Sequence, residues 1–295
     1  MKTLSIIIVT YKSEHDIYDC LQSVWHNNDL SCEELEVIVV DNSPESEPMF
    51  CRLRELYGDD IILIKNTHNG GYGQGNNVGL RRATAPVCMI MNPDVRMMEP
   101  VFKSAVDAFK KDQELYLYGM KQMLDETRPS RRSFTCTYMM NGYAHTLLTI
   151  VGNMTDIFLP RWMYFHGSCF FVNREKFQTV GLFDESVFMY GEEDDIRFRL
   201  YKRYGSHSKY NKRLHYIHPI HLRKPDLEYQ KKLIDMAIML NEKKGYPKQK
   251  TIRGRMQNLN MLLFMEHVRK LVGKGNQTQI DFLRQRKQYL KSLTN

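Results

Sequence analysis

The chain has 295 residues, 42% hydrophobic and 11% aromatic, enough for a substantial core and unlike a disordered or collagen-like composition. No run approaches the roughly 18 consecutive apolar residues of a membrane-spanning helix, and the short apolar stretch near the start fits a buried strand better than a secretion signal. The net charge of +8 is uneven: residues 1–120 carry 11 Lys/Arg against 18 Asp/Glu, whereas residues 243–295 carry 13 against 2, implying either an anionic partner for that end or a solvated basic helix.

Residues 5–10 form a β-branched run that predicts a strand covered on both faces. Ser13, with Asp16 three residues on, resembles a capping box. Ile17, Cys20, Leu21, Val24 and Trp25 then recur at helical spacing. Residues 36–40 read as a second buried strand, 50–57 as a helix and 61–65 as a third strand. A short helix over 79–84, a strand over 87–91 and a helix over 100–111 follow. Strands spaced by helices predict βαβ units and a mostly parallel twisted sheet of the α/β class. Residues 121–165 are polar and are expected to be irregular, with short strands. A strand at 170–172, a helix over 194–204 stopped by Gly205, and a helix over 227–242 come next. Two basic amphipathic helices, 256–272 and 280–293, close the chain. Six scattered cysteines without a C-x-x-C pair argue for a reducing compartment, by default the cytosol, and against a thiolate zinc site.

Chemistry-bearing residues gather at expected strand ends, where ligands of open α/β sheets bind. Asp41 ends the second strand and can accept from a nucleobase N–H or a ribose hydroxyl, or close an Asx-turn. Asn69–Gly79 holds five glycines and reads as a loop that lets backbone approach a ligand, or as a flexible turn. Asn92-Pro93-Asp94 brings a carboxylate to the fourth strand's end, suited to a hard divalent cation or to a β-turn. Glu192-Glu193-Asp194-Asp195 opens a helix after the aromatic-rich stretch containing Phe183, Phe188 and Tyr190. Mutual repulsion and partial burial there would raise one carboxyl toward general-base duty; a charged surface turn is the plain alternative. The aromatic flanks argue against full exposure. His218 sits among alternating apolar residues and is either structural or a metal or phosphate ligand.

Together these segments resemble the family 2 glycosyltransferases, in particular a bacterial rhamnosyltransferase-like branch, over about three quarters of the chain. The opening run through Thr10-Tyr11 resembles that family's first strand, and Val40-Asp41-Asn42 its nucleobase-binding motif. Asn69–Gly79 is similar to its N-x-G-[FY]-x-x-[AG]-N-N-x-G segment, and Asn92-Pro93-Asp94 stands where its D-x-D motif stands. Asp125, Ser130, Arg131 and Arg132 resemble a further motif, and Trp162 and Gly167 the approach to F-D-E.

The resemblance implies a GT-A type α/β fold and an inverting, metal-assisted sugar transfer. It implies Thr10, Tyr11, Asp41, Asn69, Gly71, Asn76, Asn77 and Asn92 at the donor nucleotide. Asp94 and His218 would hold Mg²⁺ or Mn²⁺, and Glu193 would be the base, with Glu192 and Asp195 beside it. Trp162, His166 and Gly167 would lie on the acceptor side. A UDP- or dTDP-linked donor and a polyprenyl-diphosphate-linked saccharide acceptor in capsule or O-antigen assembly are the implied partners, with no nucleic acid. A catalytic domain over 1–225 is expected, with a nucleotide-binding half over 1–120 and an acceptor-side half over 121–225. A basic helical extension over 226–295 would follow. Met256, Leu259, Leu262, Leu263 and Val272 offer that extension an apolar side for an anionic membrane face, or for packing on protein. An inactive transferase-like scaffold, a nucleotidyltransferase and a non-catalytic nucleic-acid-binding module are the rival readings. Four carboxylates in a cleft would repel phosphates and count against the last.

Overall fold

A computed structural model describes residues 1–137, 141–219 and 226–294. The first half alternates strand and helix: β1 (Leu4–Thr10), α1 (Glu14–His26), β2 (Leu35–Asp41), α2 (Glu47–Tyr57), β3 (Ile61–Lys65), α3 (Gly71–Arg82), β4 (Val87–Met91), β5 (Arg96–Met97) and α4 (Phe102–Lys111). The order continues with β6 (Leu117–Met123), β7 (Phe134–Cys136), α5 (Gly142–Thr155), β8 (Met163–Phe165), β9 (Cys169–Asn173), α6 (Arg174–Thr179), α7 (Glu192–Tyr204) and β10 (Ser208–Ile217). Helices α8 (Leu227–Lys243), α9 (Lys248–Leu271) and α10 (Gln277–Ser292) close the chain.

Two units result. One comprises Met1–Phe134 and Phe158–Ile220, the other Thr135–Ile157 and His221–Asn295. The segment 135–157 thus groups with the C-terminal helices, where the sequence alone placed it in the catalytic part. The expected boundary at residue 225 lies outside the described residues.

The first unit is built on an eight-stranded sheet in the order β3-β2-β1-β4-β9-β6-β10-β5. The pairings β1–β2, β1–β4, β2–β3 and β6–β10 are parallel, whereas β9 opposes β4 and β6, and β5 opposes β10. Alternation along a strand decides what each residue packs against. Leu4, Ile6 and Ile8 join the core formed with Ile17, Leu21 and Val24 of α1 and with Phe102 and Phe109 of α4. Ile7 and Val9 face the other way, toward α3. The topology also assembles a site. The carboxyl ends of β1, β2, β4, β6 and β10 and the amino end of the reversed β9 all lie along one edge.

Several elements differ from expectation. The glycine segment is the body of α3, which runs over Gly71–Arg82, not a loop before a short helix. Its glycines serve packing: a Cβ on Gly79 would sit 2.4 Å from Ile7 Cγ2, and one on Gly75 2.7 Å from Val9 Cγ1. Close helix–strand approach outweighs the poor helix propensity of glycine. The segment expected to be irregular, 121–165, holds the last three residues of β6 and the fourteen-residue α5, besides the short strands expected there. Helices α2 and α9 start three and eight residues earlier than read, at Glu47 and Lys248. Ser13 does precede α1, but its hydroxyl bonds Tyr11 instead of capping a helical N–H.

In the second unit, α8, α9 and α10 share a core of Ile234, Ile238, Ile252, Leu259, Leu283 and Leu290. Met256, Leu262 and Leu263 pack against it. The apolar side offered for a membrane is therefore largely interior; of its five residues only Val272 is exposed. No helix among the described residues is long and apolar enough to cross a membrane.

Candidate active site

Three carboxylates and an imidazole converge on the edge where the parallel strands end. At β2, Asp41 is buried, and its Oδ1 accepts from Thr10 Oγ1 at 2.8 Å and Ser43 Oγ at 2.8 Å. Its Oδ2 is buried with no hydrogen-bond partner among the described residues. A buried carboxylate oxygen left without a donor costs about 1–3 kcal/mol or more, so this one is suited to a ligand N–H or O–H. Tyr11, just beyond, is 48% exposed.

Behind Asp41 lies a buried amide network. Asn66 Nδ2 donates to Asn42 Oδ1 at 2.7 Å and to Gln74 Oε1 at 2.6 Å. Asn42 Nδ2 donates to Gly71 O at 3.2 Å, and Asn69 Oδ1 accepts from Gly71 N at 3.1 Å. Gly71 has φ +88°, and a Cβ there would sit 1.7 Å from Phe188 O. Only glycine fits that turn. Asn76 Nδ2 donates to Tyr72 O at 2.9 Å, leaving its buried Oδ1 without a partner among the described residues. Asn77 is wholly buried and both ends of its amide are committed. Nδ2 reaches Phe183 O and Glu185 Oε1 at 2.9 Å each, and Oδ1 accepts from Phe183 N at 3.0 Å. Asn77 thus staples α3 to the segment before α7.

Asp94 follows β4, and His218 follows β10. His218 Nε2 stands 3.3 Å from Asp94 Oδ1, each side chain about one-fifth exposed. Gln122 Nε2 lies 3.2 Å from His218 Nδ1. A carboxylate and an imidazole side by side at a solvent-reachable edge suit a hard cation that takes its other ligands from phosphate and water. No third His, Cys, Asp or Glu among the described residues groups with them.

The acid cluster opens α7 behind Gly191, itself at φ +102°. Its members have separate fates. Asp195 Oδ2 accepts from Arg199 Nε at 2.8 Å and stands 2.7 Å from its Nη2, a structural ion pair. Glu192 is buried beside Gly73, with Oε1 unpartnered; burial first and the Glu193 charge second push its carboxyl up to about 8. Glu193 is half-buried and also shifted up, chiefly by burial, against the pull of N–H groups that include Gly167 N. Tyr72 OH donates to Gly167 O at 2.6 Å. Of the flanking aromatics, Phe183 is buried while Phe188 is 49% and Tyr190 40% exposed; the acid cluster itself is not fully exposed, as expected.

The segment 166–168, just before β9, joins these groups. Gly167 touches Glu193, while Ser168 O accepts from Asn92 N at 2.8 Å and Ser168 Oγ meets Tyr216 OH at 2.9 Å. His166 is pushed down to about 4, first by burial and then by the positive charge of Arg132, so it is neutral at neutral pH. Trp162 lies under the Arg161 guanidinium at 5.1 Å, on a loop whose carbonyls at Pro160 and Arg161 take hydrogen bonds from the buried Arg197 of α7. Tyr72, Gln122 and Ser168 are site residues that motif reading missed. Gln122 sits at a strand's carboxyl end, but in a stretch read as irregular; Tyr72 and Ser168 neighbour flagged residues.

Comparison with known proteins gives the family and the fold. The model of glycosyl transferase family 2 matches residues 5–181. The low-salt glycan biosynthesis hexosyltransferase Agl10 of Haloferax volcanii is 29% identical over 210 residues, covering 66% of this chain and 61% of that protein. The chain thus spans about three fifths of that relative's length. The mannosyltransferase PcManGT from Pyrobaculum calidifontis, solved with GDP-Man and Mn²⁺, superposes with a TM-score of 0.62 at 14% identity, over 99% of this chain and 85% of that one. GalNAc-T7, solved with UDP, GalNAc and Mn²⁺, gives 0.60 at 16% identity, over 80% of this chain and 48% of that one. The fold is of the GT-A type, and the chain belongs to glycosyl transferase family 2.

Proposed function

We propose that this family 2 glycosyltransferase is an inverting, divalent-cation-dependent enzyme that moves a hexosyl group from a nucleoside-diphospho-sugar to a hydroxyl of a saccharide acceptor. The observation that carries the reading is the convergence of Glu193, Asp94 and His218 on the edge joined by Gly167 and Ser168. The acceptor is a saccharide on a lipid diphosphate, used in assembling a bacterial surface polysaccharide at the inner face of the cytoplasmic membrane. A relative that is a hexosyltransferase supports the broader hexosyl assignment over a rhamnosyl one.

Asp41 Oδ2 takes an N–H or O–H of the nucleoside, and Tyr11 lies over the same end of β1. Asn76, one helical turn beyond Tyr72, offers a second unfilled acceptor. Asp94 and His218 would hold Mg²⁺ or Mn²⁺, which when bound supplies positive charge against the departing diphosphate. Arg132, close enough to disfavour protonation of His166, adds positive charge in the same region.

Glu193 removes the acceptor proton. As the acceptor oxygen bonds to the anomeric carbon, the bond from that carbon to the diphosphate oxygen breaks on the opposite face, and the proton stays on the Glu193 carboxylate. A raised proton affinity suits a base, and Gly167 N–H fixes the carboxylate's direction. His166, neutral, can accept or donate on the acceptor side without adding charge. Asp195 is tied to Arg199 and Glu192 is shut in, so neither competes for the role.

Incubation with UDP-, dTDP- or GDP-sugars and lipid-linked saccharides tests this, reading nucleoside diphosphate release. Release that needs both Mn²⁺ and the Glu193 carboxylate supports the reading. Release unchanged in Glu193→Gln refutes it.

A further inference from the structure

Helix α5 is apolar on the outside. Over Gly142–Thr155 it has no Lys, Arg, Asp or Glu, and its buried residues are Gly142, His145, Thr146, Gly152 and Asn153. That polar and small side is taken up by α9. A Cβ on Gly142 would sit 1.9 Å from Gly254 O. Gly142 N donates to Gln257 Oε1 at 2.8 Å, and Asn258 Nδ2 donates to Thr146 Oγ1 at 2.7 Å. The opposite side presents Tyr143, Leu147, Val151 and Met154 at helical spacing, with Ile157 just beyond, all 43–59% exposed.

α9 extends the same surface. Beyond the turn that carries α5, Phe264, Val268, Leu271 and Val272 are exposed, Leu271 at 87%. With 3.6 residues per turn these four fall on the side of α9 that holds Gly254 and Gln257. Arg269, Lys270 and Lys274 border them, and Glu266 is bound to Arg269 at 2.9 Å.

We propose that α5 and the C-terminal end of α9 form a docking surface that enters the headgroup boundary of an anionic lipid bilayer. An apolar surface whose α9 end is bordered by Lys and Arg matches the interface of a membrane carrying negative headgroups. Residues 243–295 carry 13 basic and 2 acidic residues. A second copy is the poorer occupant, since a two-fold contact would set two such basic borders face to face. This surface is distinct from the apolar side that the sequence suggested, and it goes beyond the transfer reaction.

Flotation of the full chain tests it, with vesicles of phosphatidylcholine alone and of phosphatidylcholine mixed with phosphatidylglycerol. Binding should need phosphatidylglycerol and weaken with added salt. The pairs Leu147→Glu/Met154→Glu and Phe264→Glu/Leu271→Glu should each lower binding by about tenfold or more. Leu56→Glu, at an exposed leucine of α2, should not. Melting temperature reports whether each variant is folded, and Leu147→Ser/Met154→Ser serves if the Glu pair is not. Absence of binding to phosphatidylglycerol vesicles, or binding unchanged in the folded pairs, overturns the proposal. So does a dimer in light scattering that these substitutions convert to monomer, which assigns the surface to a second copy. Nucleotide-sugar binding by a protein that ignores vesicles overturns the docking alone; its absence in the unaltered chain counts against the transfer reading.

Discussion

His218 Nε2, past the end of β10, lies 3.3 Å from Asp94 Oδ1, past the end of β4. Neither strand pairs with the other; β9 and β6 stand between them. The chain after β4 crosses to β10, where β5 pairs Arg96 with Ile217, and this brings the two groups together. Gln122, at the end of β6, reaches His218 Nδ1 at 3.2 Å and orients the ring. A histidine that ligates a cation through one nitrogen needs its other nitrogen held. Gln122→Leu should therefore weaken Mn²⁺-dependent donor binding by about 10–100-fold while leaving metal-independent nucleotide binding unchanged. Equal calorimetric affinity in the variant would remove Gln122 from the site.

Glu193→Gln should cost on the order of 10²–10⁴ in transfer rate and leave donor affinity near that of the unaltered chain. The Glu193 carboxyl is shifted up and must be ionised to act, so the rate should rise with pH through a value above the ordinary 4.5. Near-native turnover in Glu193→Gln together with loss in Glu192→Gln would move the base by one residue.

Glu192 should make the fold less stable as pH rises from 4.5 to about 8. Its folded-state value, about 8, is above the ordinary 4.5, so folding takes up a proton between those two values. The stability is complete below the lower value and is lost as pH rises through the upper one. The loss is a few kcal/mol at most, on the order of one per pH unit of displacement. Thermal melts across that window should show Glu192→Gln flat where the unaltered chain declines. Parallel curves would mean that Glu192 is ionised and solvated in the folded protein.

The elements that strand and helix periodicity specify outright were legible in the sequence. The run at residues 5–10, the stripe from Ile17 to Val24 and the acids at residues 192–195 all lie where the pattern put them. α3 was not legible, because its glycines lower helix propensity and their purpose, contact with Ile7 and Val9, lies across the fold. α5 was missed for a related reason. Its buried side is polar and its exposed side apolar, so it carries no ordinary amphipathic signal. At the site, acids at strand ends could be read from sequence, as could the spacing of Asp195 to Arg199 four residues on, whereas the fates of Glu192 and Glu193 depend on Gly73 and Gly167, brought in by folding.

Gly79→Ala should lower stability by about 1–3 kcal/mol, since the added methyl meets Ile7 Cγ2 at 2.4 Å. Donor affinity of the folded fraction should not change. A variant of unaltered melting temperature that no longer binds donor would mean that Gly79 meets the ligand and not the strand.

Calorimetric titration of UDP-, dTDP- and GDP-sugars into the unaltered chain and into Asp94→Ala, each with Mn²⁺ and with EDTA, tests the central claim most directly. Asp94 stands beside His218 at the strand-end edge, and in the proposed reading it shares a cation with the donor's phosphates. At least one sugar nucleotide should bind the unaltered chain with Mn²⁺ and lose most of that affinity both in EDTA and in Asp94→Ala. Equal affinity under all four conditions, or no binding of any sugar nucleotide, would contradict the assignment of this edge as a metal-assisted donor site.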